Sequence, residues 1–156
     1  EFYDISNMSG SESVGSMVVW QDGGFARGEY RKFKIKTVKG PNDVKMLREV
    51  LDRRIKQLTN IKLQISNDKR DISFSKKPDL IVLDGGKPQL GEVFRLFGEL
   101  GVGIPIVSLA KREEEVFGIQ NGRFKKTNIA KNSPEGFFVQ RIRDEAHRFA
   151  IGIIRN

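Results

Sequence analysis

An aspartate stands at the end of a short apolar run in the stretch LIVLDGGKPQLG, which spans positions 80–91. The run predicts a buried strand that ends at Asp84, and Pro88 after the two glycines predicts the first turn of a helix. A carboxylate at the end of a buried strand suits two kinds of chemistry. Either the Gly-Gly-Lys sequence surrounds a phosphate group, or Asp84 binds a metal ion through its oxygen atoms.

The spacing of the glycines argues against a nucleotide-binding loop. Such a loop needs a glycine, four further residues and then Gly-Lys-Ser/Thr, whose hydroxyl binds magnesium. Here the glycines are adjacent, and Pro88 follows Lys87 where the hydroxyl residue would stand. Nucleotide hydrolysis is therefore disfavoured, and Asp84 is interpreted as a candidate metal ligand.

A second aspartate lies in another predicted strand. Asp4 belongs to the stretch FYDI, which Ser6 and Asn7 close. If the strands that carry Asp4 and Asp84 are parallel neighbours, the two carboxylates meet at the carboxyl edge of the sheet. Such a pair is tolerated when Mg²⁺ or Mn²⁺ neutralises it. The alternative is that each aspartate only belongs to a turn at a strand end, where this residue is common.

Composition limits the classes of protein that the chain can represent. A net charge of +8 and a pI near 9.8 favour a polyanionic partner such as nucleic acid, although solubility alone is the alternative. The chain has no cysteine and one histidine, which excludes disulfides, thiolate sites and multi-histidine zinc sites. There is neither an apolar run of about 20 residues nor a signal-peptide pattern at the start. We therefore expect a cytoplasmic protein without a membrane partner or a small-molecule cofactor.

The order of predicted elements is β-β-β-α-β-α-β, a short hairpin near Asn121-Gly122 and a closing helix. The first third predicts an antiparallel meander, with strands at 2–5, 14–20 and 25–35 and a hairpin turn at Asp22-Gly23-Gly24. The apolar runs at 79–83 and 104–110 lack alternation, as parallel strands covered on both faces do. The prediction is an α/β fold of the ribonuclease H-like order: a mixed sheet, antiparallel meander plus parallel strands, flanked by helices.

Three helices each carry an apolar stripe at steps of three and four residues. The stripe of the first helix, which Asn42 or Asp43 can cap, comprises Val44, Leu47, Leu51, Ile55 and Leu58. The second helix runs from about Pro88 to Leu100, has Gly101 as its cap, and is expected to bury Leu90, Val93, Phe94 and Phe97. The last helix follows Ser133-Pro134 and is expected to bury Phe138, Ile142, Ala146, Phe149 and Ile153.

The single histidine adjoins the stripe of the last helix. His147 follows Ala146 and lies near the turn that bears Arg143 and Asp144, so it can face the edge of the sheet as a third member of the site. The alternative is a partly exposed helix histidine that makes one hydrogen bond, because a lone histidine is not specific evidence.

Five stretches of the chain resemble, in order, the C-terminal endonuclease region of UvrC, a component of the excinuclease ABC of bacterial nucleotide excision repair. They are FYDISNMSG, YRKFKIKTVKGPNDVKMLREVLDRR, PDLIVLDGGKPQL, PIVSLAKREEEVF and QRIRDEAHRFAI. Residues from about 60 to 77 look like an insertion, expected as a surface excursion, and 121–132 match loosely. The resemblance implies that residues 1–156 form one ribonuclease H-like endonuclease domain, excised from a longer protein.

The resemblance also implies a catalytic Asp-Asp-His triad, which falls on Asp4, Asp84 and His147. A further aspartate tied to activity in the family falls on Asp43, for which helix capping is the alternative. The KREEE motif starts at Lys111 and Arg112, which are expected to meet DNA phosphate near the site, unless the cluster is only a solvated turn.

The activity implied by the resemblance is hydrolysis of a DNA phosphodiester on the 5′ side of a lesion. It would depend on Mg²⁺ or Mn²⁺, act on damaged double-stranded DNA, and involve UvrB in the full-length protein. The role of His147 as ligand, water-orienting group or general acid stays open. Two alternatives also stay open: a non-catalytic nucleic-acid-binding module and another nuclease of the same fold.

Further candidate DNA contacts are basic residues outside the triad: Lys87, Arg123, Lys125 and Lys126. Contacts of this kind bind the phosphate backbone and do not read sequence or damage. The alternative is that they belong to solvated loops, as charge runs often do.

Overall fold

The structure, a computed structural model, describes residues 1–7, 12–63, 76–110 and 115–152, with residues 59–63 described in their backbone only. The strands are β1 (Phe2–Asn7), β2 (Ser13–Val18), β3 (Trp20–Gln21), β4 (Gly24–Phe25), β5 (Arg31–Lys34), β6 (Ile81–Asp84), β7 (Ile106–Leu109), β8 (Glu115–Gln120) and β9 (Arg123–Asn128). The helices are α1 (Asp43–Leu63), α2 (Lys87–Leu100) and α3 (Pro134–Ile151). In the described part of the chain, no helix has the length and apolar character to cross a membrane.

The main sheet is mixed, as the sequence predicts. Within the described residues it has seven strands in the order β5-β2-β1-β6-β7-β8-β9. The pairs β1–β6 and β6–β7 are parallel, and the pairs β5–β2, β2–β1, β7–β8 and β8–β9 are antiparallel. The fourth strand in this sheet along the chain therefore lies beside the first and parallel to it, which confirms the pairing that the candidate site requires.

Helices cover both faces of the sheet. On one face α1 packs against α2, and the Arg48 guanidinium bridges the two helices through Glu92 at 3.1 Å and Glu99 at 2.6 Å. On the other face α3 packs over β1 and β2. The close approach of α1 to the sheet depends on Gly15, because a Cβ atom there would lie 2.5 Å from the Val50 side chain.

The predicted turns and helix caps, which depend on residues within a few positions of one another, are confirmed. Gly101 takes the left-handed conformation at the end of α2, with φ 67° and ψ 35°. Asn121 and Gly122 both have positive φ in the turn that joins β8 to β9. The Ser133 hydroxyl accepts a hydrogen bond from the Gly136 amide at 3.1 Å and caps α3, with Pro134 in the first helical position.

The sequence predicts one continuous return strand of the meander at 25–35, and this prediction is wrong. The turn at Asp22 and Gly23 joins only the two-residue strands β3 and β4, which form a separate ribbon. A single 3₁₀ turn, Arg27–Glu29, then interrupts the chain before β5 pairs with β2. Helix α1 is also longer than predicted and ends at Leu63, inside the predicted excursion of 60–77. Residues 64–75 of that excursion lie outside the described residues.

Two side chains expected in the core are exposed instead. Phe94 is 49% exposed on α2, where Leu96 is buried, and Phe138 is 36% exposed on α3, where Val139 is buried. On α2, the packing of α1 alongside shifts the buried face toward Leu96. Phe138 packs edge-to-face on Trp20, at 4.9 Å between ring centroids, at the rim of the core. Phe149 is partly buried against the core, and Ile153 lies outside the described residues.

A buried carboxylate fastens the second half of α3 to the sheet. Glu145 accepts hydrogen bonds from the Tyr30 hydroxyl at 3.1 Å and from Arg148 at 2.6 and 3.1 Å, and Arg27 approaches to 3.7 Å. The hydrogen bonds from Arg148 hold the pKa of Glu145 below its usual value. Burial partly opposes this lowering, and the hydrogen bond from Tyr30 adds to it. Burial raises the pKa of Tyr30, so this phenol stays a donor across the physiological pH range.

We predict that Glu145→Gln lowers the free energy of unfolding by about 1–2 kcal/mol at pH 7, because charge-assisted hydrogen bonds become neutral ones. A pKa lowered in the folded state contributes stability above the unfolded value, near 4.3 for glutamate, and this contribution is lost as the pH falls through the folded value. The gap between wild type and variant should therefore narrow as the pH falls through the lowered folded-state pKa of Glu145. Urea denaturation across pH measures it, with the exposed Asp144→Asn as the control; a gap that stays constant as the pH falls would contradict the prediction.

Candidate active site at the carboxyl edge of the sheet

The strand register places Asp4 beside Asp84. In the parallel pair β1–β6, Tyr3 lies opposite Leu83, so the next residues along both strands are Asp4 and Asp84. Neighbouring strands lie about 4.8 Å apart, and alternate residues point to opposite faces. Tyr3 faces α1, where its hydroxyl and the buried Arg54 share Glu1. The two carboxylates therefore point to the α3 face. Asp84 ends β6, whereas β1 continues past Asp4 to Asn7 in pairing with β2, so the prediction that Ser6 and Asn7 close this strand is wrong.

A cleft of about 280 Å³ opens at this edge and brings three aspartates together. Asp4, Asp43 and Asp84 all line it. The remaining lining residues come from the strand ends and from the first turns of α1 and α2: Ile5, Leu47, Gly85, Gly86, Gln89 and Ala110. The carboxyl edge of the parallel strands is where open α/β sheets place their ligands.

The structure assigns the cap of α1 to the neighbour of Asp43. The Asn42 side-chain oxygen accepts a hydrogen bond from the Lys45 amide at 3.1 Å, and α1 begins at Asp43. The preceding loop is held by Glu49, which accepts the amides of Lys36 at 2.9 Å and Thr37 at 2.7 Å. Asp43 is exposed at the rim of the cleft, so helix capping no longer accounts for it.

The two glycines after Asp84 make room for a helix cap. A Cβ atom on Gly85 would lie 2.7 Å from the Gln89 side chain. The Gln89 side-chain oxygen accepts the Gly86 amide at 2.9 Å, which satisfies a backbone donor at the start of α2. The Asp-Gly-Gly turn thus lets α2 begin directly behind Asp84.

Arg143 is a member of the site that sequence reasoning missed. Its Nε lies 3.8 Å from Asp84 Oδ1, and its Nη2 donates a hydrogen bond to the Ala110 carbonyl at 2.7 Å. The two side chains are 14% and 8% exposed, so this ion pair is largely shielded from water. A sequence signal for Arg143 was available, since this residue precedes His147 by one helical turn in the same motif.

His147 lies on the exposed surface of α3, one turn beyond Arg143. Residues four apart share a helix face, so His147 lies on the side of α3 that Arg143 directs toward Asp84. The residues that line the cleft do not include His147. The structure therefore brings Asp4, Asp43 and Asp84 together in the cleft, and it does not place His147 among the residues that line it.

The donor chemistry of the cleft fits a hard divalent cation. Mg²⁺ in proteins keeps several waters and uses one or two carboxylates together with substrate phosphates, and Mn²⁺ takes similar oxygen ligands. Asp4 and Asp84 supply two carboxylates of this kind. Among residues 1–7, 12–63, 76–110 and 115–152, no three acidic or histidine side chains lie close enough to hold a metal by themselves. The residues thus suit an open site that a substrate phosphate completes.

The described residues among the predicted DNA contacts lie at the surface, at the start of α2 and along β9. Lys87, Arg123, Lys125 and Lys126 are all exposed, and Lys126 lies 3.5 Å from Glu115. Lys111 and Arg112 lie outside the described residues, so their predicted contacts are not located.

Comparison with known proteins gives a consistent assignment. The profile of a family described as the UvrC RNase H endonuclease domain matches residues 1–151. The chain is similar to UvrABC system protein C of Methanococcus maripaludis, with 43% identity over 99% of this chain and 27% of that protein. The same-named proteins of Dehalococcoides mccartyi and Lachnospira eligens are 42% and 44% identical over 97% of this chain and 24% of each relative. The chain thus spans about a quarter of the length of these relatives.

We predict that substitutions of Asn42 and Asp43 differ in their effects on stability and activity. Asn42→Ala should cost about 1 kcal/mol of stability, because it removes the cap of α1. Asp43→Asn should change stability by less than about 0.5 kcal/mol, since Asp43 is exposed, but it should lower activity if the carboxylate serves the cleft. Thermal unfolding and plasmid nicking by both variants measure this. A larger stability loss for Asp43→Asn than for Asn42→Ala would return Asp43 to a capping role.

Proposed function

Because the chain belongs to the UvrC RNase H endonuclease domain family, we propose that it hydrolyses a DNA phosphodiester and makes the 5′ incision beside a lesion in nucleotide excision repair. One observation carries the proposal: the β1–β6 register sets Asp4 beside Asp84 in a cleft that Asp43 also lines. Two adjacent carboxylates repel each other, and a site that retains both is typical of cation binding.

We propose that Asp4 and Asp84 hold Mg²⁺ or Mn²⁺. The bound ion would supply charge stabilisation for the scissile phosphate and a water of lowered pKa. Asp43, across the cleft, orients the attacking water or the phosphate. Arg143 fixes the direction of the Asp84 carboxylate and offsets part of its repulsion from Asp4. His147, one turn further along α3, holds or moves a proton at a ring nitrogen on the solvent side of the site.

The partners are proposed on the same basis. The relatives are named as parts of the UvrABC system, and this chain spans only a quarter of their length. We propose that damaged double-stranded DNA is the substrate and that UvrB acts with the protein that carries this chain. The exposed basic residues support contact with DNA phosphates, a term that does not depend on sequence.

We predict that Asp84→Asn lowers nicking at least about a hundredfold, the scale seen when one group that stabilises transition-state charge is removed. The fold should persist, because the substitution preserves shape. The assay is relaxation of supercoiled plasmid in Mn²⁺ by the protein that carries this chain, with the exposed Asp79→Asn as the matched control. A folded Asp84→Asn protein with normal nicking would exclude this carboxylate from the reaction and favour a non-catalytic binding module.

We predict that His147→Ala loses most nicking activity with less than about 0.5 kcal/mol change in stability, because the side chain is exposed. Asp144→Ala, an exposed position on the same helix, is the control and should retain activity. Melting temperature and nicking rate are measured on the same preparations. If the melting temperature falls sharply while activity at a permissive temperature is retained, His147 is a structural residue.

A further inference from the structure

Two half-exposed phenylalanines lie near Gly91 of α2. Phe94 of α2 is 49% exposed, and Phe124 of β9 is 47% exposed. We call this surface the α2–β9 strip and define it by Lys87, Gly91 and Phe94 on α2 and Phe124 on β9. Lys87 and Phe94 are seven residues apart and so share one side of the helix, with Gly91 between them.

The ring of Phe124 lies against α2 at Gly91. A Cβ atom on Gly91 would lie 3.4 Å from the end of the Phe124 ring. At this distance an added methyl group would only touch the ring, so the ring lies within van der Waals range of α2 at Gly91. The strip therefore presents an aromatic ring that lies against α2 and is still open to solvent.

The strip is basic as well as aromatic. The Lys87 ammonium lies 5.9 Å from the centre of the Phe124 ring and 5.5 Å from that of Phe117. Among the residues that the structure describes, Lys87 has no carboxylate partner. Lys126 lies two residues after Phe124 on β9 and therefore on the same face of that strand. Positions 123–131 contain no acidic residue.

The strip continues from the cleft that holds the three aspartates. Lys87 is the first residue of α2 and directly follows Gly86, which lines the cleft, so the strip begins next to the cleft. From Lys87 to Phe94 the helix rises about 10 Å. This distance corresponds to about three stacked bases at 3.4 Å each.

We propose that the α2–β9 strip binds an unpaired stretch of DNA strand that leaves the cleft, with a base stacked on Phe124 and a phosphate held by Lys87. The inference rests on the proposed function and adds the form of the substrate. Exposed aromatic rings beside basic side chains are the recurring elements of single-strand binding, because every base has a face that can stack. In a duplex these faces are covered, so the strip selects DNA that is locally opened next to the cut.

A protein partner is the competing occupant, because β9 is the edge of the sheet in the described part of the chain. An added strand would need the open backbone edge of β9. Lysines along an edge strand oppose such pairing, and β9 carries Arg123, Lys125 and Lys126. Charge and aromatic exposure together favour the nucleic acid.

The test measures binding without catalysis. A fluorescein-labelled 12-nucleotide single strand of mixed sequence and a 12-base-pair duplex are titrated with the full chain in EDTA at one fixed salt concentration, and anisotropy is recorded. Phe124→Leu should weaken single-strand binding about five- to 150-fold, the change that corresponds to 1–3 kcal/mol per stacked base. Duplex binding should change less than twofold. Phe137→Leu, at a residue 58% exposed on α3, is the matched control and should change neither.

A second variant is a control for the helix beneath the ring. Gly91→Ala keeps every charge and the phenylalanine itself, and because its methyl group would only touch the ring at 3.4 Å, single-strand binding should change less than about twofold. Unchanged single-strand binding in Phe124→Leu, or equal losses for single strand and duplex, would overturn the proposal and favour a protein partner or a purely electrostatic surface. Because binding is measured in EDTA, these outcomes are independent of Asp84→Asn nicking, so failure of the strip and failure of the proposed function are told apart.

Discussion

Two carboxylates on neighbouring parallel strands repel each other, and the candidate site is organised around that repulsion. Like charges on neighbouring strands repel each other even near a protein surface. The β1–β6 register brings Asp4 and Asp84 to the same level of the sheet, so both carboxylates are subject to this repulsion. Arg143 supplies a permanent positive charge on the α3 side, at 3.8 Å from Asp84. The open side of the cleft faces solvent, where a cation and a phosphate can enter.

Much of this arrangement could be predicted from the sequence. The parallel pairing of β1 and β6 follows from the element order, and the caps at Asn42, Gly101 and Ser133 follow from chemistry within a few residues. The contact between Arg143 and Asp84 could not be predicted in the same way, because it depends on how far α3 slides along the sheet. That position is set by tertiary contacts such as the hydrogen bonds of Glu145, none of which leaves a periodic signal.

The errors in the core prediction have a similar cause. A stripe at steps of three and four gives the direction of a helix face but not its width. On α2 the neighbouring α1 shifts the buried face toward Leu96 and leaves Phe94 exposed. On α3 the side chain of Phe138 remains at the rim against Trp20. Some aromatic residues that a helical stripe assigns to the core are exposed in the structure. Such residues are informative about function, because packing of the core does not require them at those positions.

The site joins residues from the two ends of the chain, and α3 is the element that connects them. Arg143 and His147 belong to one turn of α3, and Glu145 between them fastens that turn to Tyr30. A carboxylate buried with arginine and a phenol gives the helix a fixed rotation, whereas apolar packing alone tolerates sliding. The same network that stabilises α3 therefore fixes the direction of Arg143 toward Asp84. Local loosening of this helix would disperse the site while the sheet and its paired aspartates remained intact.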